Sequence, residues 1–159
     1  MAIKYTIETF GVSFPTKVAA SAGSPHIYNI TLEKDTPNGK IVGRGAWQEL
    51  DRYVEAAAPT FEFEIKGQAT NGNWYVEVNK VDAEADVLFI HMPVIIAENF
   101  TRKFANEKNF YIPAGDVAKA YTLIRGDIME YSKECFEGEP AIGKKITSCN
   151  ENGKLVIGA

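Results

Sequence analysis

Phe61-Glu62-Phe63-Glu64-Ile65-Lys66, then Asn71-Gly72, then Trp74-Tyr75-Val76-Glu77-Val78 is the stretch that decides the fold class. Apolar and polar residues alternate on both sides of the Asn-Gly pair. A period of two puts Phe61, Phe63 and Ile65 on one face of a strand and Glu62 and Glu64 on the other. Asn-Gly accepts left-handed backbone angles cheaply, and the turn it makes twists with the strands it joins. Residues 60–81 therefore read as an antiparallel hairpin with one buried face and one wet face.

The same grammar extends outward in both directions. Ile3 to Phe10 alternates in the strand period. Gly11 to Pro25, rich in Ala, Ser, Gly and Pro, reads as a loop or extended arm. His26 to Leu32 is a strand; Pro37-Asn38-Gly39 turns the chain and Ile41-Val42-Gly43 returns it as a hairpin. Trp47, Leu50, Tyr53 or Val54, and Ala57 fall at three-to-four spacing, so 47–58 is either a short helix or an irregular excursion ended by Pro59. Val87 to Ile90 is continuously apolar, as expected for a buried strand. Glu98 to Asn109 is polar, with Phe100 and Phe104 four apart, and reads as a helical turn or two or as a surface loop.

The last third is compact. Ala118 to Ile124 is a strand, Arg125-Gly126-Asp127 a turn, and Ile128 to Tyr131 a strand. Ser132 is expected to cap a short helix, Lys133 to Phe136, because its hydroxyl can accept from unpaired amides; Gly138 closes it. Gly143–Thr147 and Gly153–Ile157 form a hairpin around Asn152-Gly153. Together these predict a mainly β chain, α+β if the helices are counted: an antiparallel β-sandwich or small barrel-like domain with one or two short helices. The expected divisions are 1–40 (first strand, arm and first hairpin strand), 41–92 (hairpin body) and 93–159 (second β lobe with a short helix). They form either one continuous domain or two lobes hinged near 93–115.

Composition narrows the function. The chain has 159 residues, 45% hydrophobic and 24% charged, an ordinary globular balance that excludes disorder of the whole. With 17 basic against 21 acidic side chains the net charge is −4, and Arg102-Lys103 and Lys144-Lys145 are only pairs. Nucleic acid binding through counterion release needs a denser basic face, so none is expected. No window offers 18 apolar residues, so no membrane span is expected. The N-terminal stretch lacks the apolar core of a signal peptide, which places synthesis and residence in the cytoplasm or in an assembly built there. Cys135 and Cys149 are the only thiols, fewer than a disulfide framework requires, and read as free in a reducing compartment.

Catalytic vocabulary is thin. His26 and His91 stand alone, without further ligands at metal spacing. Asp82, Glu84 and Asp86 lack the template of a calcium loop. Glu62 and Glu64 sit on the wet face of a strand rather than across a sugar. Ser132 and the thiols have no elbow or neighbouring base. Arg125-Gly126-Asp127 spells an adhesion tripeptide but lies between apolar strands, where Gly-Asp is a turn. No enzyme, metal or cofactor is expected.

Aromatic residues carry more information. Trp47, Tyr53, Trp74, Tyr75, Phe100, Phe104, Phe110 and Tyr111 are numerous for this size. Trp74 and Tyr75 are adjacent and must point to opposite faces of a strand, leaving one for another layer or a partner. The order Trp47-x-x-Leu50-Asp51-x-Tyr53, Ala58-Pro59-Thr60-Phe61, Asn71-Gly72-Asn73-Trp74-Tyr75-Val76-Glu77-Val78 resembles the head decoration, or capsid cement, proteins of tailed bacteriophages. So do Phe110-Tyr111, Gly115-Asp116, Ala120-Tyr121, Leu123 and Gly126-Asp127-Ile128, with Pro140-Ala141, Gly143-Lys144, Ile146 and Asn152-Gly153-Lys154-Leu155 closing the pattern. The likeness spans roughly residues 40–157.

The resemblance implies a non-enzymatic virion protein, made in the host cytoplasm, that sits on the capsid exterior. It implies the major capsid protein as partner, with copies arranged as a homotrimer or a trimeric cluster on the shell that clamps neighbouring subunits. Phe14, Pro15 and Val18 in the arm, with Trp47, Tyr53 and Trp74 as anchors, are the expected contacts. Other readings stay open: a head-fibre, neck or tail component, or a carbohydrate-binding module using exposed aromatics.

Overall fold

The computed structural model describes residues 11–18, 27–92, 110–150 and 152–158. They form twelve strands in two sheets: β1 (Ser13–Lys17), β2 (Ile27–Thr31), β3 (Ile41–Gln48), β4 (Arg52–Ala56), β5 (Phe61–Gln68), β6 (Trp74–Val81), β7 (Val87–Ile90), β8 (Val117–Thr122), β9 (Ile128–Tyr131), β10 (Phe136–Glu137), β11 (Lys145–Cys149) and β12 (Leu155–Ile157). Strands β2-β4-β3-β7-β8 close into a barrel, and β1-β9-β6-β5-β11-β12-β10 form a seven-stranded sheet. The mainly β expectation holds. Pairing is antiparallel except for β2 with β4 and β10 with β12.

Strand β7 shows how the two sheets share side chains. Val87 and Phe89 join the core between barrel and sheet, whereas Leu88 and Ile90 fill the barrel interior. Both faces are buried, which is why this segment lacks the usual alternation. Strand β3 divides likewise, with Ile41 outside the barrel and Val42 inside. The hairpin β5–β6 contributes Phe61, Phe63, Ile65, Val76 and Val78 to the shared core, as its period requires.

Tyr131 fastens the two units. It is fully buried, its hydroxyl donates to the Gly39 carbonyl at 3.0 Å, and its ring meets Phe89 edge-on at 5.9 Å. Gly39 has φ +97°, and a Cβ there would lie 2.7 Å from both Tyr131 Cε1 and Ser13 Oγ. Only glycine fits this crossing.

Several expectations change. Residues 13–17 are not part of a free arm: they form edge strand β1, paired with β9, with a register shift after Phe14 where Pro15 lacks an amide to donate. The remainder of the arm, 19–25, and the segments 1–10 and 93–109 lie outside the described residues, as do His26, Phe100 and Phe104. The turn at 37–39 does not join paired strands. Strand β2 pairs with β4 and β8, and β3 with β4 and β7. The side chain of Asn38 instead exchanges hydrogen bonds with the Met92 backbone, at 2.8 and 2.9 Å.

Residues 47–58 are a β-ribbon, β3 to β4, with a 3-10 turn at Glu49–Asp51. A second 3-10 turn, Lys133–Cys135, stands where the short helix was expected. Ser132 does not cap it; its hydroxyl accepts from the Val12 amide at 2.9 Å, holding β1. Both sheets take strands from either side of the expected 92/93 boundary. Strand β8 joins β2, β3, β4 and β7 in the barrel, while β1, β5 and β6 sit with β9 to β12, so each unit draws from both sides of that boundary.

Candidate interaction surface

The β3–β4 ribbon is coiled tightly by two glycines. A Cβ on Gly43 would lie 2.4 Å from the Ala57 carbonyl oxygen, and one on Gly45 would lie 2.5 Å from that of Val54. A register shift between Arg44 and Trp47 adds a bulge, and bulges re-aim the side chains that follow. Trp47 then pairs across the ribbon with Tyr53, so both project to the same side.

Trp47 is 65% exposed, although β-ribbon tryptophans usually find a core. Its cross-strand partner Tyr53 belongs to a polar–aromatic cluster packed against the barrel core. Tyr53 and Tyr28 meet edge-on at 5.6 Å. The Arg44 guanidinium lies 4.7 Å from the Tyr28 ring centre and 5.1 Å from that of Tyr53. Its outer nitrogen reaches Asp86 at 3.2 Å. Rings and carboxylate together hold the cation in place, a geometry worth about 0.5–2 kcal/mol per cation–π contact. The adjoining turn is tied down as well: Thr31 donates to Gln48 at 3.0 Å and Arg52 to the Glu49 carbonyl at 3.3 Å.

The other expected contacts fall elsewhere. Phe14 and Pro15 are half-buried in β1, with the Phe14 ring 6.4 Å from His91. Val18 is 5% exposed and packs into the shared core. Trp74 also packs against that core, and Tyr75 takes the solvent side of β6. Trp47 and Tyr53 are thus the expected pair that the fold brings together. Tyr28, Arg44 and Asp86 were not anticipated; Gly43-Arg44-Gly45, an arginine between two glycines in a strand, was the available signal.

Two further apolar side chains stand out in solvent: Ile124, 50% exposed at the β8–β9 turn, and Ile142, 69% exposed before β11. Both lie beside the seven-stranded sheet, whereas Trp47 lies on the barrel.

The chemistry-bearing residues are engaged in structure. Asp127 is 4% exposed and accepts from the Ile124 amide at 2.9 Å, which closes the Arg-Gly-Asp turn from within. Asp82 accepts from the Glu84 amide at 2.8 Å. Glu64 binds Asn79 and Lys66 at 3.0 and 3.1 Å, first the amide and then the ammonium holding its carboxyl below the usual range. Burial pushes the Cys135 thiol up to about 12, far from a nucleophilic range. Burial lowers His91, whose Nδ1 is enclosed without a partner. Among the described residues no three of His, Cys, Asp and Glu converge on a metal-sized site, and no helix is long and apolar enough to cross a membrane. No protein-family model, no curated protein and no solved structure matches the chain, so its residues and their geometry are what a functional reading rests on.

Proposed function

We propose that the chain is a structural, non-enzymatic virion protein of a tailed bacteriophage. In this reading it binds the outer surface of the icosahedral capsid and bridges neighbouring subunits of the major capsid protein, in trimeric clusters. The observation that carries the reading is the exposed Trp47, paired across the ribbon with Tyr53, which itself packs with Tyr28 and Arg44. Trp, Tyr and Arg are the residue types that dominate binding energy at protein interfaces. A bridge also needs contacts on separate parts of the molecule, and Ile124 and Ile142 supply apolar contacts on the sheet side, apart from the barrel. Many such contacts stabilise a shell by mass action, because they form with the assembled state and not with free subunits.

The test is quantitative mass spectrometry of gradient-purified virions, followed by reconstitution on stripped capsids. The expected result is a copy number comparable to that of the major capsid protein. Trp47→Ala should weaken re-addition by about tenfold or more, with the Tm of the free protein unchanged. Absence from the particle sinks the virion reading; a few copies per particle moves it to the neck or tail.

A further inference from the structure

We propose that protonation of His91 releases edge strand β1 from the seven-stranded sheet, so that the molecule carries an acid-triggered latch. The inference does not depend on the capsid reading. His91 follows β7 directly, and its backbone amide donates to the Lys119 carbonyl at 3.1 Å. Its ring stacks on that of Phe89, centres 6.1 Å apart, and meets the Phe14 ring of β1 at 6.4 Å, tilted by 53°. Nδ1 is enclosed and has no hydrogen-bond partner. An imidazolium carries a proton on both ring nitrogens, whichever tautomer precedes it. Protonation therefore leaves a charged donor with nothing to accept from it, in a place that water does not reach. At these distances the two rings lie at or beyond the reach of a useful cation–π contact.

No neighbouring charge offsets this. The titratable groups on the surrounding elements are cations and phenols: Lys17 of β1, Lys40 of β3, Lys119 and Tyr121 of β8, and Tyr131 of β9. Lys40 is already paired with Glu55. The carboxylate in register with Phe14, that of Glu130, is held by Asn71, Asn73 and Thr16. Burial, with no charge contributing, holds the imidazole below its ordinary value.

The weaker wall of this enclosure is β1. Phe89 is fully buried, and its strand β7 is paired on both sides, with β3 and β8. Among the described residues β1 is paired on one side only, with β9, and its register shifts after Phe14. Its leading end is tied by Val12, which donates to Ser132 Oγ at 2.9 Å and accepts from the Ser132 amide at 2.8 Å. Lifting Phe14 hydrates the imidazolium and breaks few bonds, whereas moving Phe89 would open both cores. The closed latch binds the proton less well than the open one, so it is fully stable above about pH 6.5 and weakens as pH falls below that.

The experiment is hydrogen exchange of the full chain at pH 7 and pH 5, corrected for the intrinsic rate at each pH. An open-state value near 6.5 limits the effect at pH 5 to about thirtyfold. The expected result is a loss of protection of about tenfold at the amides of 12–17 and of Ser132, while the β5–β6 hairpin keeps its protection. His91→Phe should hold β1 protected at both pH values. Phe14→Ala should open β1 already at pH 7 and leave little further response to acid. Unchanged protection of β1 at pH 5 overturns the proposal, as does an equal loss in the hairpin, which marks global unfolding. A full acid response that survives in His91→Phe or in Phe14→Ala overturns it as well.

Discussion

Tyr131→Phe isolates one hydrogen bond between the two units. The phenol is fully buried and donates to the Gly39 carbonyl at 3.0 Å. Phenylalanine keeps the ring, its edge contacts with Phe89 and Phe136, and the packed volume. What is lost is a donor to an enclosed carbonyl, a deletion that costs ~1–3 kcal/mol. For a chain of this size each kcal/mol lowers Tm by about 2–4 °C, so a central cost of ~2 kcal/mol predicts a fall of about 4–8 °C at neutral pH. Calorimetry measures it, with Tyr75→Phe on the solvent face as the control expected near zero.

The same variant carries an alkaline signature. Burial, the leading cause, raises Tyr131 well above its ordinary value, and Cys135 rises from 9.0 to about 12. Both groups stay protonated in the folded state while the unfolded chain releases their protons. Stability is therefore complete below the unfolded values and falls as pH rises above them, by about 1.4 kcal/mol per pH unit for each proton. Tyr131→Phe removes one of these protons, so its deficit should shrink between pH 10 and 11. A Tm within about 1 °C of the parent at pH 7, or a deficit that stays constant with pH, refutes the assignment of the phenol as the fastener.

His91→Phe tests the opposite limb. Burial lowers this imidazole, and its enclosed Nδ1 has no partner, so the parent should lose stability as pH falls below 6.5. The variant should flatten the melting profile between about pH 6.5 and 5; an unchanged acid limb means that other groups govern it. Gly39→Ala should cost more than Tyr131→Phe, because it combines a left-handed φ with contacts at 2.7 Å to Ser13 and Tyr131. A loss of Tm smaller than that of Tyr131→Phe shows that the crossing relaxes.

Local features of this fold were legible in the sequence, and non-local ones were not. The β5–β6 hairpin is written twice, in its alternation and in Asn71-Gly72, and its two strands are adjacent in both chain and sheet. The 37–39 segment carries the same turn chemistry. Yet the strands it joins separate, because β2 runs parallel to β4 and closes the barrel against β8. No short-range signal encodes that choice. The three-to-four spacing across 47–58 was coincidental: Gly43 and Gly45 allow close backbone approach that no helix needs. Trp74 and Tyr75 were correctly placed on opposite faces, but the adjacent pair is symmetric in sequence. Only the buried Val76 and Val78 decide that Trp74 faces inward.

The candidate interaction surface was half legible for the same reason. Trp47 and Tyr53 are close in sequence and meet across a ribbon. Tyr28 reaches them only through the parallel β2–β4 pairing, and Asp86 only through the antiparallel β3–β7 pairing. Those same pairings brace the surface. Strand β3 is anchored at its start in both cores, by Ile41 and Val42. Its far end carries Trp47 paired with Tyr53, and the Arg44 guanidinium is held by Tyr28, Tyr53 and Asp86. The backing is already ordered before a partner arrives, so little ordering entropy remains to be lost there on docking. A flexible arm would have had to meet that cost at the moment of binding. In the proposed attachment, Trp47 on this ribbon presents a contact whose cross-strand partner Tyr53 is already packed in place.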